Sequence, residues 1–248
     1  MIWEFGVFFL SLLNLAALWL AFGHPDRAFG IMGIFAAVLL IGVRLIARNF
    51  RFFFLLIFLI LGALLLLPLI DSPAQAKAFI VLASGVFYLA ILAGYRLRKY
   101  DKDQTAKAMV NLAALATLFC WYTSVYGWYL NIEMSVWYIM AVFAVVTFLV
   151  SYISIMINKL EINRSQRVLY SVYLAYLVAG AIWIQNFWPF GYLTTGVITL
   201  IIYYASWDII RNYFIGKMTV KKIVFNLVFL VGAASILLLS TKWYPVIQ

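Results

Sequence analysis

Charged residues fall so sparsely along the chain that the intervals between them outline its elements. Stretches free of Asp, Glu, Lys and Arg run over 5–25, 28–43, 52–70, 78–95, 108–132, 134–158, 168–207 and 223–241. A helix needs about 20 mainly apolar residues to cross roughly 30 Å of hydrocarbon, and all but one of these stretches suit a single crossing. Arg44 extends the short second stretch, since its stem can lie on apolar surface while the guanidinium reaches water. The stretch 168–207 would make one helix about 60 Å long, twice the hydrocarbon thickness. Inside it lies Gln185-Asn186-Phe187-Trp188-Pro189-Phe190-Gly191, where Pro and Gly are expected to break the helix and the amides to face water. The pattern therefore predicts nine transmembrane helices, over about 3–22, 28–47, 52–70, 77–95, 108–129, 135–157, 168–186, 191–210 and 223–241.

Composition agrees with this pattern. Of 248 residues, 67% are apolar or aromatic and only 10% are charged, and the mean hydropathy is +1.06. A soluble domain carries about 25% charged residues. The expected fold class is all-α, a polytopic integral membrane helix bundle forming one transmembrane domain over 1–248. No soluble domain is expected, because the longest connection, Arg96 to Lys107, is too short to fold independently. The first span differs from a signal peptide: its leading residues lack a basic group and carry Glu4 instead. The single cysteine, Cys120, lies in the fifth span and can form no intrachain disulfide.

The net charge of +10 would suggest nucleic acid in a soluble protein. Distributed over nine crossings, it reads as orientation. Fifteen basic residues fall on the side of Met1: Arg44, Arg48, Arg51, Arg96, Arg98, Lys99, Lys102, Lys107, Lys159, Arg164, Arg167, Arg211, Lys217, Lys221 and Lys222. Arg27, Lys77 and Lys242 fall on the other. Basic residues collect in cytoplasmic loops, so the N-terminus is expected in the cytoplasm and the C-terminus outside, in a multi-pass protein of the cell (plasma or inner) membrane. All five prolines lie at or beyond outer helix ends, and Trp19, Trp128, Trp137, Trp183, Trp188 and Trp243 lie near the outer boundary, as an interfacial belt would. Nucleic-acid binding is not expected, since the charges sit in short loops against an anionic membrane surface.

Candidate chemistry is thin. His24-Pro25-Asp26-Arg27 holds the only histidine beside a carboxylate, but a tight polar turn explains it. Thr147, Ser151, Ser154 and Asn158 are spaced 4, 3 and 4, so they share one helical face. With Asn111, Tyr203, Asp208 and Asn226 they could line a polar vestibule open to the cytoplasm, or they could be ordinary helix-packing residues. Tyr170, Tyr173, Tyr176, Tyr203 and Tyr204 could line a lipid pocket or simply pack. Arg44, Arg48 and Arg51 at i, i+4 and i+7, with Arg96, Arg98 and Lys99 in the longest loop, suit anionic lipid headgroups on the cytoplasmic face. No catalytic residue, metal site or cofactor is expected. No ionised group lies deep in a span, and no proline interrupts one, which disfavours ion-coupled transport.

Three functions are consistent with this pattern. The first is a non-catalytic accessory or scaffold subunit, associated with lipid and touching a membrane protein partner. The second is a transporter, channel or flippase for a small or lipidic solute. The third is an intramembrane enzyme acting on a lipid-linked substrate, with Asp208 and Arg211 as acid and phosphate clamp.

Overall fold

The computed structural model describes residues 2–47, 50–100, 102–158, 163–214, 216 and 218–240. Among them are nine α-helices and no strand: α1 Ile2–Gly23, α2 Ala28–Ile46, α3 Phe50–Leu66, α4 Pro73–Lys99, α5 Gln104–Asn131, α6 Val136–Ile157, α7 Arg164–Gln185, α8 Tyr192–Phe214 and α9 Val220–Ser240. Each is long and apolar enough to cross a membrane, α3 with the help of the 3-10 turn Leu67–Leu69 that continues it. The break expected near Pro189 is present, between α7 and α8.

Several helices outrun the apolar stretches that announced them. α4 starts four residues before position 77, with Pro73 at its first position, where the missing N–H was an orphan anyway. It also runs through Arg96 and Arg98 to Lys99. α5 begins at Gln104 because Asp103 caps it: Asp103 Oδ1 accepts the Ala106 backbone N–H at 3.1 Å. The connection expected over 96–107 thus shrinks to 100–103: Arg96, Arg98 and Lys99 sit on α4 and Lys107 on α5, leaving Lys102 in the loop. α7 begins at Arg164, where Gln166 reaches back to accept the Asn163 backbone N–H at 3.2 Å. Backbone hydrogen bonding continues past the last apolar side chain wherever a cap satisfies the terminal groups.

The chain forms two compact units. The first comprises α1–α4, α5 up to Cys120, and residues 156–158. Here α1 packs on α2 and α4, and α3 packs on α2 and α4. The buried positions of α2 are Ala28, Met32, Phe35, Leu39, Val43 and Ile46, spaced 4, 3, 4, 4 and 3, so one stripe of a uniformly apolar helix faces inward. Phe35 meets Phe87 of α4, ring centroids 5.9 Å apart. The α2 and α4 backbones come close to their neighbours at glycines. A Cβ on Gly94 would stand 3.1 Å from Ala47 Cβ, and one on Gly42 would run into the Leu10 side chain.

The second unit comprises α5 from Trp121, α6 through Ile155, and α7–α9. α8 is its hub, packing on both α7 and α9. α8 also approaches α5 at Gly196, where a Cβ would collide with Thr123 Cγ2 and lie 3.1 Å from the Thr123 Cα and N. Tyr122 stacks on Phe143 of α6 with centroids 4.8 Å apart. α9 is the least embedded helix, with 6% of its apolar window buried.

Candidate functional site

Apart from half-buried Asn111, the hydroxyl and amide side chains of the predicted vestibule are buried, and most of them end in short pairs. Along α6, Thr147 Oγ1 donates to the Phe143 carbonyl at 2.6 Å and lies 2.7 Å from the Tyr122 hydroxyl. Ser151 Oγ donates to Tyr203 Oη at 3.1 Å. Ser154 is buried on the same face. In the first unit, Asn158 Nδ2 donates to Asn111 Oδ1 at 2.9 Å. Hydroxyls on α5 and α8 behave alike: Thr117 bonds the Ala113 carbonyl, Thr199 the Thr195 carbonyl and Ser206 the Ile202 carbonyl, each one turn back in its own helix. The face-sharing that the spacing predicts is therefore present, and it carries helix–helix and intrahelical hydrogen bonds.

Gln185 departs from expectation. Grouped by sequence with the water-facing break, it is 2% exposed in the last turn of α7, and Gln185 Nε2 donates to Thr199 Oγ1 at 3.1 Å. The helix ends just after it, so its side chain still projects along the α7 face that meets α8. The break proper is Asn186 to Gly191, where Phe190 turns back inside, 4% exposed.

Asp208 and Asn226 come together, with two partners that sequence reasoning missed. Asp208 Oδ2 accepts from Asn212 Nδ2 at 2.7 Å and Asn226 Nδ2 at 2.8 Å. Lys222 Nζ donates to Asn212 Oδ1 at 3.3 Å. Asn212 sits four residues after Asp208, a spacing that was legible; that α9 brings Asn226 to the same carboxylate was not. In the first unit the missed pair is Asn14 and Ser84, with Asn14 Nδ2 donating to Ser84 Oγ at 3.3 Å between α1 and α4. A lone Asn in an otherwise apolar stretch was the available signal.

The basic residues divide. Arg44 lies exposed in the last turn of α2 and Arg51 in the first turn of α3. Because α2 ends at Ile46 and α3 starts at Phe50, the expected i, i+4, i+7 row does not lie along one helix; Arg48 falls outside the described residues. Arg98 Nη1 donates to the Leu45 and Ile46 carbonyls, both at 3.1 Å, and so caps the C-terminus of α2. Arg96 Nε meets Asp103 Oδ2 at 2.7 Å. The Ala106 N–H first, and then Arg96, hold the Asp103 carboxyl below the usual carboxylate range. Lys99 Nζ stands 5.3 Å from the Tyr100 ring centroid. Pro25–Arg27 form an exposed 3-10 turn preceded by exposed His24, and among the described residues no three His, Cys, Asp or Glu side chains converge as metal ligands.

Two concavities involve residues singled out by sequence. A groove of about 880 Å³ in the second unit is lined by Trp137 of α6, Tyr176 and Trp183 of α7, Ile198 and Ile202 of α8, and Leu230 of α9, among others. Its volume is toward the top of the range of roughly 300–1,000 Å³ common to small-molecule sites. Of the five tyrosines singled out by sequence, only Tyr176 lines it. Tyr203 is buried against Ser151 and Trp207, Tyr204 packs edge-on to Phe229, Tyr170 edge-on to Phe214, and Tyr173 is exposed. The second concavity, about 350 Å³, lies in the first unit between Glu4 and the end of α4.

No curated protein and no solved structure matches the chain. A family model does match residues 28–240, from the first residue of α2 to the last of α9. The chain thus belongs to the family described as "Protein of unknown function (DUF5656)".

Proposed function

We propose that this protein is a multi-pass protein of the cell membrane, N-terminus cytoplasmic and C-terminus external, acting as a non-catalytic accessory or scaffold subunit associated with lipid. The observation that carries this reading is how its interior polar groups are used. Thr147 with Tyr122, Ser151 with Tyr203, Gln185 with Thr199 and Asn158 with Asn111 bond one another. Such pairs hold helices together where outer faces are as apolar as the core and burial alone gives little driving force. The outer faces, with residues such as Phe5, Phe29, Ile34, Phe225 and Leu239, are suited to lipid or to another transmembrane helix. The apolar groove of the second unit adds a concave surface for an acyl chain.

The orientation follows from the basic residues at one set of helix ends, with an anionic cytoplasmic leaflet as their counterpart. Extraction in native lipid patches followed by mass spectrometry tests the role. A reproducible stoichiometric membrane protein, or a defined set of retained lipids, is the expected result. Catalytic turnover of a retained lipid-linked sugar or phosphate by the purified chain would overturn the non-catalytic reading. Solute flux through reconstituted protein would overturn it in favour of transport.

A further inference from the structure

We propose that the cleft between the first turn of α1 and the last turns of α4 binds the phosphoethanolamine headgroup of a membrane lipid. This rests on the lipid-associated reading and names the lipid class. The cleft, about 350 Å³, is lined by Glu4 of α1 and by Leu92, Tyr95, Arg96, Lys99 and Tyr100 at the end of α4. Positions 92, 95, 96 and 99 share one face of α4, and α1 is a packing neighbour of that helix. Arg96 and Lys99, two of the three cations in the last turn of α4, make a favourable setting for a phosphate once the cations outweigh the carbonyl dipole.

The cations are positioned by the protein. Arg96 is held through Nε by Asp103 at 2.7 Å, and Asp103 is itself fixed as the α5 cap. A guanidinium has five N–H donors, and this ion pair uses the one on Nε. Lys99 is steadied over the Tyr100 ring. Tyr95 and Tyr100 bring phenol groups that both donate and accept, and Leu92, further from the helix end, offers apolar surface to the start of an acyl chain.

Charge complementarity selects the headgroup. A purely anionic headgroup would satisfy Arg96 and Lys99 but meet the carboxylate of Glu4. A zwitterionic headgroup satisfies both signs: phosphate to Arg96 and Lys99, ammonium to Glu4. Glu4 already takes part in a contact within the protein, and a carboxylate with about four acceptor positions can take a further donor. A primary ammonium donates hydrogen bonds to it, whereas a trimethylammonium donates none and is recognised by aromatic cages. Lys99 already faces one of the two rings here, so ethanolamine is favoured over choline.

The test uses the full chain purified in detergent, with binding of phosphatidylethanolamine, phosphatidylglycerol and phosphatidylcholine of identical acyl chains read by native mass spectrometry. Phosphatidylethanolamine is expected to bind most tightly, and soluble phosphoethanolamine at the same concentration to displace none of it. Glu4→Gln should lower the preference for phosphatidylethanolamine over phosphatidylglycerol by up to about fivefold, the worth of an exposed ion pair. Lys99→Gln should weaken both lipids together. Phosphatidylglycerol binding as tightly as phosphatidylethanolamine, an unchanged preference in Glu4→Gln, or displacement by the soluble headgroup would overturn the proposal. Lipid retained without headgroup preference refutes this assignment alone; failure to retain any lipid refutes the lipid-associated reading with it.

Discussion

Gly196 is the position where one added carbon should cost most. A Cβ there would strike Thr123 Cγ2 and come within 3.1 Å of the Thr123 Cα and backbone N. Rotating the Thr123 side chain relieves only the first of these, because the other two atoms belong to the α5 backbone. To restore ordinary van der Waals distances near 3.5–4.0 Å, α8 and α5 must separate by several tenths of an ångström. That movement would loosen packing along the helix pair. Overpacking of this kind typically costs about 1–3 kcal/mol, while alanine's better helix propensity returns at most about 1 kcal/mol. Gly196→Ala should therefore be less stable by about 1–3 kcal/mol than a Gly→Ala variant that gains the same propensity without the clash. Reversible unfolding in mixed micelles, followed by far-ultraviolet circular dichroism, measures it. Gly85→Ala and Gly232→Ala are the controls, since a Cβ at either meets nothing within 4 Å. Thr123→Ser in the Gly196→Ala background removes Cγ2 and should recover part of the loss, but not all. A Gly196→Ala protein as stable as the Gly85→Ala control would refute the close approach of α8 to α5.

Other consequences are more local. Ser151→Ala and Tyr203→Phe, singly and combined, should show a coupling of about 0.6 kcal/mol, the average for interhelical hydrogen bonds in a membrane; strictly additive losses would mean that the 3.1 Å bond contributes nothing. Arg98→Ala should lower stability by about 0.3–1 kcal/mol through loss of the α2 cap, with Arg98→Lys intermediate, and equal melting of all three proteins would contradict that role. Asp103 has a folded pKa below its unfolded value of about 3.9, so its stabilisation is present above that pH and is lost as pH falls through the folded pKa. The gap in melting temperature between the native protein and Asp103→Asn should accordingly be constant near neutrality and narrow below about pH 4; a gap that stays unchanged to pH 3 argues against it. Finally, Thr147→Cys and Asn158→Cys in a Cys120→Ala background should resist a membrane-impermeant maleimide until the protein is denatured, because both positions are buried. Rapid labelling of either would favour the open vestibule.

Much of the architecture was legible because it depends on local patterns. A break was readable at Pro189 from length and residue type alone, and it separates α7 from α8. Helix ends were less legible, because capping extends a helix past its apolar stretch, as at Asp103 and Gln166. The grouping of Thr147, Ser151, Ser154 and Asn158 on one face follows from the helical period. Their partners Tyr122, Tyr203 and Asn111 lie on other helices at separations no local pattern encodes. Arg98 shows the same limit: its charge marks a helix end, but only packing of α4 beside α2 sends the guanidinium to the Leu45 and Ile46 carbonyls.

By itself the sequence determined the number and approximate extent of the helices, their break at Pro189 and the uneven distribution of charge among their ends. Those follow from hydropathy, proline and length, which act within a few turns of chain. Tertiary structure decided which face of each helix is buried, that Gln185 turns inward, that Asn226 shares a carboxylate with Asn212, and that Gly196 sits against Thr123. The reason lies in the uniformity of the side chains. When a helix is apolar on every side, amphipathic contrast cannot orient it, and the choice of face passes to steric fit and to the few polar groups that must find one another.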